Sequence, residues 1–547
     1  MTTDRYHLGD YAPLVSRIAS QLDAENVPAR LSAHDHTLWS DSPVEITDRL
    51  AWLTLPTDIQ PEIDPLTEFA ATVRGDGFRH VVLLGMGGSS LGPEVIRKVI
   101  GSSVNGVHPN LLTLDSTVPA WVSATTATID PARTLFVISS KSGTTTEPLA
   151  FYAYFRRLVE SSLRNGHPGN NFVAVTDPET PLAQLARSDN FRHAFINDPN
   201  IGGRYSVLSL FGLVPATLMG VDARLILSRA ESMRRQCLPD VPTADNPGAW
   251  LGATIGALAK HGRDKLTLVA SPRIAGFGLW VEQLLAESAG KNGTGIIPVA
   301  AEPPETPDHY GADRLFVQLR LSNDDSEPAA EEDRTMEKLI AAGHPVVRLE
   351  MSDAYDLGAE FYRWEYATAI AGHILGIHPF DQPDVQGAKD RTVSVLDRYQ
   401  GEGQLPVMKT DDVGSLSDLL AASNPGDYLA VMAYLPDSPG IADAIYRLRR
   451  SVVQSYGIAT TAGYGPRFLH STGQLHKGGP NTGIFLQLTQ EHAQDLNIPG
   501  WPFSFGILAD AQALGDLHAL RELGRRIVSI RLRGDPANAI NRIADTL

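Results

Sequence analysis

The 547-residue chain has a single cysteine, Cys237. That excludes an intrachain disulfide framework and any cysteine-based zinc finger, and it fits a reducing compartment, so a cytoplasmic location is expected. No run approaches the ~20 consecutive apolar residues of a membrane helix. The opening MTTDRYHLGDYAPLV carries early acidic residues and no apolar core, so it does not read as a signal peptide. Positive charge is scarce too: 46 Lys and Arg against 63 Asp and Glu leave a net charge of −17. Such a chain lacks the basic face that a nucleic-acid backbone demands. An anionic ligand would have to be captured by a local cluster of donors. Low-complexity segments and short repeats are also missing.

What is present is ordinary for a soluble globular protein, with 43% apolar and 20% charged residues, in a chain long enough for two to four domains. Residues 1–60 read as a helical arm. From 61 to 236 a strand–helix rhythm runs through apolar strands at 80–84, 111–115, 135–139 and 171–176. A polar, proline-containing linker at 237–246 separates it from a second rhythm over 247–390, with strands at 266–270, 295–300, 315–320 and 346–350. A second linker at 400–406 introduces the rest of a third α/β segment, 391–547, with strands at 428–433, 484–488 and 527–532. Strands alternating with helices predict an α/β fold with parallel sheets covered on both faces.

Two turns then stand out. SSKSGTTTEP (139–148) sets six hydroxyls around Lys141, at a strand's end and a helix's start. Helix N-termini at the carboxyl ends of parallel strands favour anions. One such hydroxyl would be a helix cap; six around a lysine predict a site for a phosphate. GMGGSSLG (85–92) is the second turn. Its sixth position is Ser90 rather than glycine, so the dinucleotide spacing fails, and no P-loop motif occurs anywhere. Further on, Gln283 and Glu287 are spaced to share a helix face. Glu287 precedes a glycine-rich exit; spacing alone also fits an exposed surface glutamate, but a buried carboxylate facing the helix C-terminus would hold its proton more tightly and suit a general base. The pairs His34/His36, His373/His378 and His470/His476 lack the carboxylate and spacing of a zinc signature, so no metal is expected.

Taken together, GMGGSSLGP (85–93), SSKSGTTTEP (139–148), GGRYSVLS (202–209), EQLLAESAGK (282–291), DHYG (308–311) and GIHPFDQPDVQGAK (376–389) resemble the phosphoglucose isomerase family. The resemblance implies two flavodoxin-like sugar-isomerase (SIS) domains, here followed by an α/β C-terminal extension. It implies the interconversion of glucose 6-phosphate and fructose 6-phosphate, as in glycolysis and gluconeogenesis, by ring opening and proton transfer through a cis-enediolate. Neither a metal nor an organic cofactor is implied, the partner is a small sugar phosphate, and a homodimer is the expected assembly. By position, Ser89, Ser140, Lys141, Ser142 and Thr145 would hold the phosphate. Gly88, Gly203 and Gln283 would line the site, Glu287 would be the base and Arg204 the cation that stabilises the enediolate. His309 would be the ring-opening acid/base, and Lys389 would assist at the ring oxygen.

Some features depart from the family pattern. Ala289 stands where asparagine or glutamate is usual. The segment after residue 390 resembles the end of the isomerase half of fused transaldolase–phosphoglucose isomerase proteins, whose transaldolase half has no counterpart in this sequence. Within it, the glycine-rich stretch 463–480 offers Arg467, His470 and Lys477 as candidates for reaching a substrate. Two other readings remain open: a relative that also accepts mannose 6-phosphate, and a non-catalytic sugar-phosphate sensor. A sensor would need the phosphate turn but not Glu287, Arg204 and Lys389.

Overall fold

A computed structural model describes residues 4–101 and 106–547, so the first three residues of the expected arm lie outside it. The described residues form three sheets. In the first, β2 (His80–Gly85), β3 (Asn110–Leu114), β4 (Thr134–Ser139), β5 (Phe172–Thr176) and β6 (His193–Ile196) are all parallel, in the order β3-β2-β4-β5-β6. Its central strands are unbroken apolar runs because both faces are covered. Alternation along the strand sends Val81, Leu83, Leu135 and Val137 into one core, and Val82, Leu84, Phe136 and Ile138 into another. The edge strand β6 was not expected from the sequence; only Phe195 of its four residues is buried, so it carries little apolar signal.

The second sheet has the order β1-β10-β9-β7-β8, from β7 (Lys265–Ala270), β8 (Ile297–Ala300), β9 (Arg314–Leu321) and β10 (Val346–Met351), which run parallel. The expected helical arm supplies helices such as Ala12–Ala24, but it opens with a strand, β1 (Arg5–His7), antiparallel to β10. This strand covers the edge of β10, which would otherwise offer free backbone groups. Asp4 beside it is anchored 2.9 Å from the buried guanidinium of Arg363.

The third sheet is parallel as well, in the order β12-β11-β13-β14: β11 (Tyr428–Ala433), β12 (Ala459–Tyr464), β13 (Gly483–Gln490) and β14 (Arg526–Leu532). The sequence reading missed β12, whose ATTAGY holds mostly small residues. The linker expected at 400–406 begins inside a helix, Gln386–Glu402, which also spans the boundary expected at 390 and ends at Gly403 with φ +72°.

The C-terminal segment packs against both preceding sheets. Val395, Leu396, Phe505, Leu508 and Leu514 share a core with Val82, Leu84, Phe136 and Ile138 of the first sheet. Tyr428, Phe468, Leu475 and Phe485 share another with Ala286, Ile297 and Val299 beside the second. Between these three bodies the carboxyl ends of β2 and β4 face one cleft. Their register pairs Gly85 with Ser139, so the two turns identified in the sequence begin side by side.

Candidate active site

The cleft encloses about 690 Å³ and is lined by Gly88, Ser89, Lys141, Ser142, Thr145, Gly203, Arg204, Gln283, Glu287 and Lys389. Ten of the twelve residues singled out as candidate site residues therefore meet in one place, from five separate stretches of chain. Ser140 and His309 do not line it.

Backbone contact holds the first turn. A Cβ built on Gly88 would lie 1.9 Å from the carbonyl oxygen of Gly203, so only glycine lets the turn Gly87–Ser89 lie against the segment carrying Arg204. The second turn is folded by its own hydroxyls. Ser140 Oγ accepts from the Gly143 amide at 3.1 Å and shares a proton with Thr145 Oγ1 at 3.0 Å. Ser142 Oγ and Thr144 Oγ1 are paired at 2.9 Å. Gly143, at φ +68°, makes the bend, and a Cβ there would meet Leu182 and Thr180 at 2.8 Å. Thr145 precedes the helix Thr146–Ser162 yet makes no capping bond to it. The hydroxyls thus shape the turn and do not cap the helix. Ser140 is buried beneath the cleft as part of that scaffold.

Lys141 lines the cleft, but its ammonium is already engaged, bonded to Asp177 and donating to the Pro199 carbonyl at 2.8 Å. Burial raises the Asp177 carboxyl above its usual range, and Lys141 pulls it back only in part. The local charge at this turn is consequently an ion pair, and the free donors are hydroxyls and amides.

Glu287 sits in the last turn of the helix Gly278–Ala289 with Gln283 one turn before it, and the two side chains touch at 3.4 Å. Burial pushes the Glu287 carboxyl up, against the pull of Arg204, His470, Lys291 and Lys389. Arg204 is 3% exposed. Its Nε donates to Ser288 Oγ at 2.8 Å, and its Nη2 to the carbonyls of Pro379 and Asp381 at 2.6 and 2.9 Å. Its Nη1 bonds Gln382 Oε1 at 2.8 Å and Glu287 Oε2 at 3.4 Å. These bonds occupy all five donors of a guanidinium. Arg204 therefore acts as a fixed positive charge, and its long bond to Glu287 is the weakest of the set. The carbonyls it holds belong to a loop also gripped by Lys291, whose ammonium bonds Asp381 Oδ1 at 2.6 Å and is pushed down by burial and by Arg204 to about 7.

The expected ring-opening histidine, His309, does not line this cleft. His309 sits at the end of the turn Pro307–His309, where Thr306 Oγ1 and its Nδ1 lie 2.9 Å apart. That turn leads into β9 of the second sheet, on a loop that does not reach the cleft. The imidazole in the cleft is His470, from the turn Arg467–His470 of the C-terminal segment. Its Nε2 lies 3.0 Å from Glu147 Oε1, and its backbone carbonyl accepts from Gln283 Nε2 at 2.9 Å. Burial alone would raise the Glu147 carboxyl, but the imidazole, its own backbone amide and Lys389 more than offset this and hold it below the usual range. Glu147 is thus an ionised acceptor, which places a proton on His470 Nε2 and leaves Nδ1 to exchange one.

Of the other candidates in 463–480, Arg467 makes a bidentate pair with buried Asp115, both bonds 2.8 Å, and Asp115 in turn accepts from Ser90 at 3.2 Å. Lys477 is bonded to buried Asp516 at 2.6 Å. Both tie elements together outside the cleft. Glu147 was overlooked although it lies inside the quoted SSKSGTTTEP, because an acidic residue in a helix's first turn is ordinary. Among the described residues, no cluster of His, Cys, Asp and Glu could hold a metal, and no helix is long and apolar enough to cross a membrane.

A family model described as phosphoglucose isomerase matches residues 68–295. A probable glucose-6-phosphate isomerase from Natronomonas pharaonis is 30% identical over 371 residues, covering 62% of this chain and 83% of that protein. The chain belongs to the phosphoglucose isomerase family. Another relative, a glucose-6-phosphate isomerase from Parabacteroides distasonis, is 27% identical over 65% of this chain and 89% of its own. In fold, a solved glucose-6-phosphate isomerase from Chlamydia trachomatis superposes with a TM-score of 0.63 at 17% identity, over 77% of this chain and 92% of that one. The stretch matched by the phosphoglucose isomerase model contains both turns, Arg204 and Glu287; Lys389 and His470 lie beyond it.

Proposed function

We propose that this protein interconverts glucose 6-phosphate and fructose 6-phosphate by ring opening and proton transfer through a cis-enediolate. The observation that carries this reading is Glu287: a buried carboxylate with raised proton affinity, in a cleft whose opposite wall is a hydroxyl-rich turn suited to a phosphate. A base poised to accept and return a proton is what an aldose–ketose exchange needs. In the open-chain sugar, the C2 proton passes to Glu287, its electron pair forms the C1–C2 double bond, and negative charge collects on O1. The O2 hydroxyl proton moves to O1, and Glu287 returns its proton to C1, leaving the carbonyl at C2. Arg204 supplies the fixed positive charge that lowers the energy of the enediolate. Its bond to Glu287 weakens as the carboxylate takes the proton. His470, oriented by Glu147, opens and closes the ring, with Lys389 at the ring oxygen. Ser89, Ser142, Thr145 and the amides of their turns hold the phosphate. No step in this scheme draws on a metal or organic cofactor. We further place the enzyme in the cytoplasm as a homodimer.

The test is a label experiment combined with one variant. Deuterium at C2 of glucose 6-phosphate should appear partly at C1 of the product and be lost partly to water. Glu287→Gln should lower kcat by ~10²–10⁴-fold with substrate affinity little changed. Near-native turnover in that variant, or complete retention of label in the native enzyme, would overturn the mechanism.

A further inference from the structure

His470 is held by Glu147, but Glu147 is itself held by a residue from elsewhere. Gln512 lies in the helix Phe505–Glu522 of the C-terminal segment and is 5% exposed. Its Nε2 donates at 2.6 Å to Glu147 Oε1, the same oxygen that receives His470 Nε2. The other end of the amide is fixed too. Thr117 Oγ1, wholly buried ahead of the helix Pro119–Thr128, donates at 2.7 Å to Gln512 Oε1. A hydroxyl donor at one end and an ionised carboxylate at the other leave the amide one orientation only, oxygen to Thr117 and nitrogen to Glu147. The result is a four-member chain, Thr117–Gln512–Glu147–His470, in which every bond has a defined direction.

We propose that Gln512 is a positioning residue for ring opening. It touches neither substrate nor imidazole; it fixes the carboxylate that fixes the imidazole. The argument rests on the role assigned above to His470. One carboxylate oxygen with two donors has little freedom to rotate. Without Gln512, Glu147 keeps a single side-chain partner, and both it and the ring can turn. Buried polar chains of this kind act as units, so a gap at one member is felt at the next. The packing alternative is that Gln512 merely seats its helix on the first sheet, where Phe505 already stacks on Phe151 at 5.7 Å. These two roles have different signatures.

Gln512→Leu keeps the volume and removes both bonds. The expected result is a kcat about tenfold lower, within the range for an impaired general acid–base group, and a KM within about threefold of native. The deuterium experiment gives the readout that packing would not move. Slower ring closure returns the open-chain product to the enediolate more often, so the fraction of C2 label lost to water per product formed should rise. The ¹⁵N resonances of His470, assigned by their loss in His470→Asn, should change from one Nε2-protonated tautomer to a mixture. Thr117→Val, which frees the amide to flip, should show the same changes at smaller size, and it decides the matter if Gln512→Leu does not fold. Native kcat in the folded variants, or a lower kcat with unchanged label loss and unchanged imidazole resonances, overturns the proposal. If the native protein proves not to isomerise sugar phosphates, the function fails first, and the tautomer measurement still tests whether Gln512 orients His470.

Discussion

The two walls of the cleft are built in opposite ways. The wall with the phosphate turn is folded largely by its own hydroxyls, whose bonds span two to five residues, from Ser142–Thr144 to Ser140–Thr145. Its lysine reaches further, to Asp177 and Pro199. The wall with the imidazole is assembled from afar: His470 meets Glu147 across 323 residues, and Gln512 meets the same carboxylate across 365. A local turn tolerates loss of one hydroxyl because its neighbours and Gly143 still set the bend. A long-range pairing has no such reserve, since Glu147 is buried and is left uncompensated when a partner goes. Damage to the first wall should therefore weaken binding, and damage to the second should impair turnover.

The strongest test of this contrast pairs two histidines. His470→Asn should lower kcat by ~10²-fold or more with a modest change in KM, whereas His309→Asn, on its turn away from the cleft, should leave both within about twofold. The reverse outcome would return the ring-opening role to His309. Smaller effects are expected at the phosphate turn. Thr145→Ala should raise KM several-fold with kcat nearly native, since a hydrogen bond to a charged group contributes about 1.5–3 kcal/mol and neighbouring donors take up part of the loss. Asp177→Asn should lower KM by roughly two- to fivefold, because it releases the Lys141 ammonium from a partly exposed pair of the kind that contributes ~0.2–1 kcal/mol. A raised KM in Asp177→Asn would mean that the pair holds the turn's shape and that its charge balance matters less.

A test on stability, apart from the cleft, belongs to the back of the catalytic helix. Glu282 points away from the cleft toward the C-terminal segment, and burial raises its carboxyl to about 8, against the pull of Arg449. The folded protein thus holds a proton that the unfolded chain gives up above the ordinary carboxylate range. Stability from this group is full below that range, falls as pH rises toward 8, and is flat beyond. Glu282→Gln should remove that slope, so its melting temperature relative to native should rise between pH 5 and pH 9. Parallel curves for the two proteins would show that Glu282 is ionised in the fold.

The same contrast explains what could be read from the sequence. The strands and the hydroxyl turn were legible because their signals are short-range: apolar runs bounded by polar turns, and six hydroxyls within ten residues. Glu287 and Gln283 were legible as a pair because a helix fixes their spacing. The pairing of Glu147, His470 and Gln512 was not, because nothing in the sequence marks residues 323 positions apart as partners. Lys141 was read as free charge since Asp177 is 36 residues away. The missed strands fail for another reason: β12 is composed of small residues and β6 buries only one side chain, so packing rather than pattern makes them strands.

The pair Arg467–Asp115 carries a consequence for how the molecule comes into being. Asp115 is fully buried, and its guanidinium lies 352 residues further along the chain. At ~5–20 residues per second, a ribosome takes roughly 20 to 70 s to make that stretch. For that time the nascent first sheet carries a carboxylate with no cation opposite it, and Glu147 waits as long for its imidazole. The amino-terminal body cannot settle into its final form while it is being made. Its last hydrogen bonds close only when the segment carrying Arg467, His470 and Gln512 has left the exit tunnel, so the cleft is completed long after its first wall has been made.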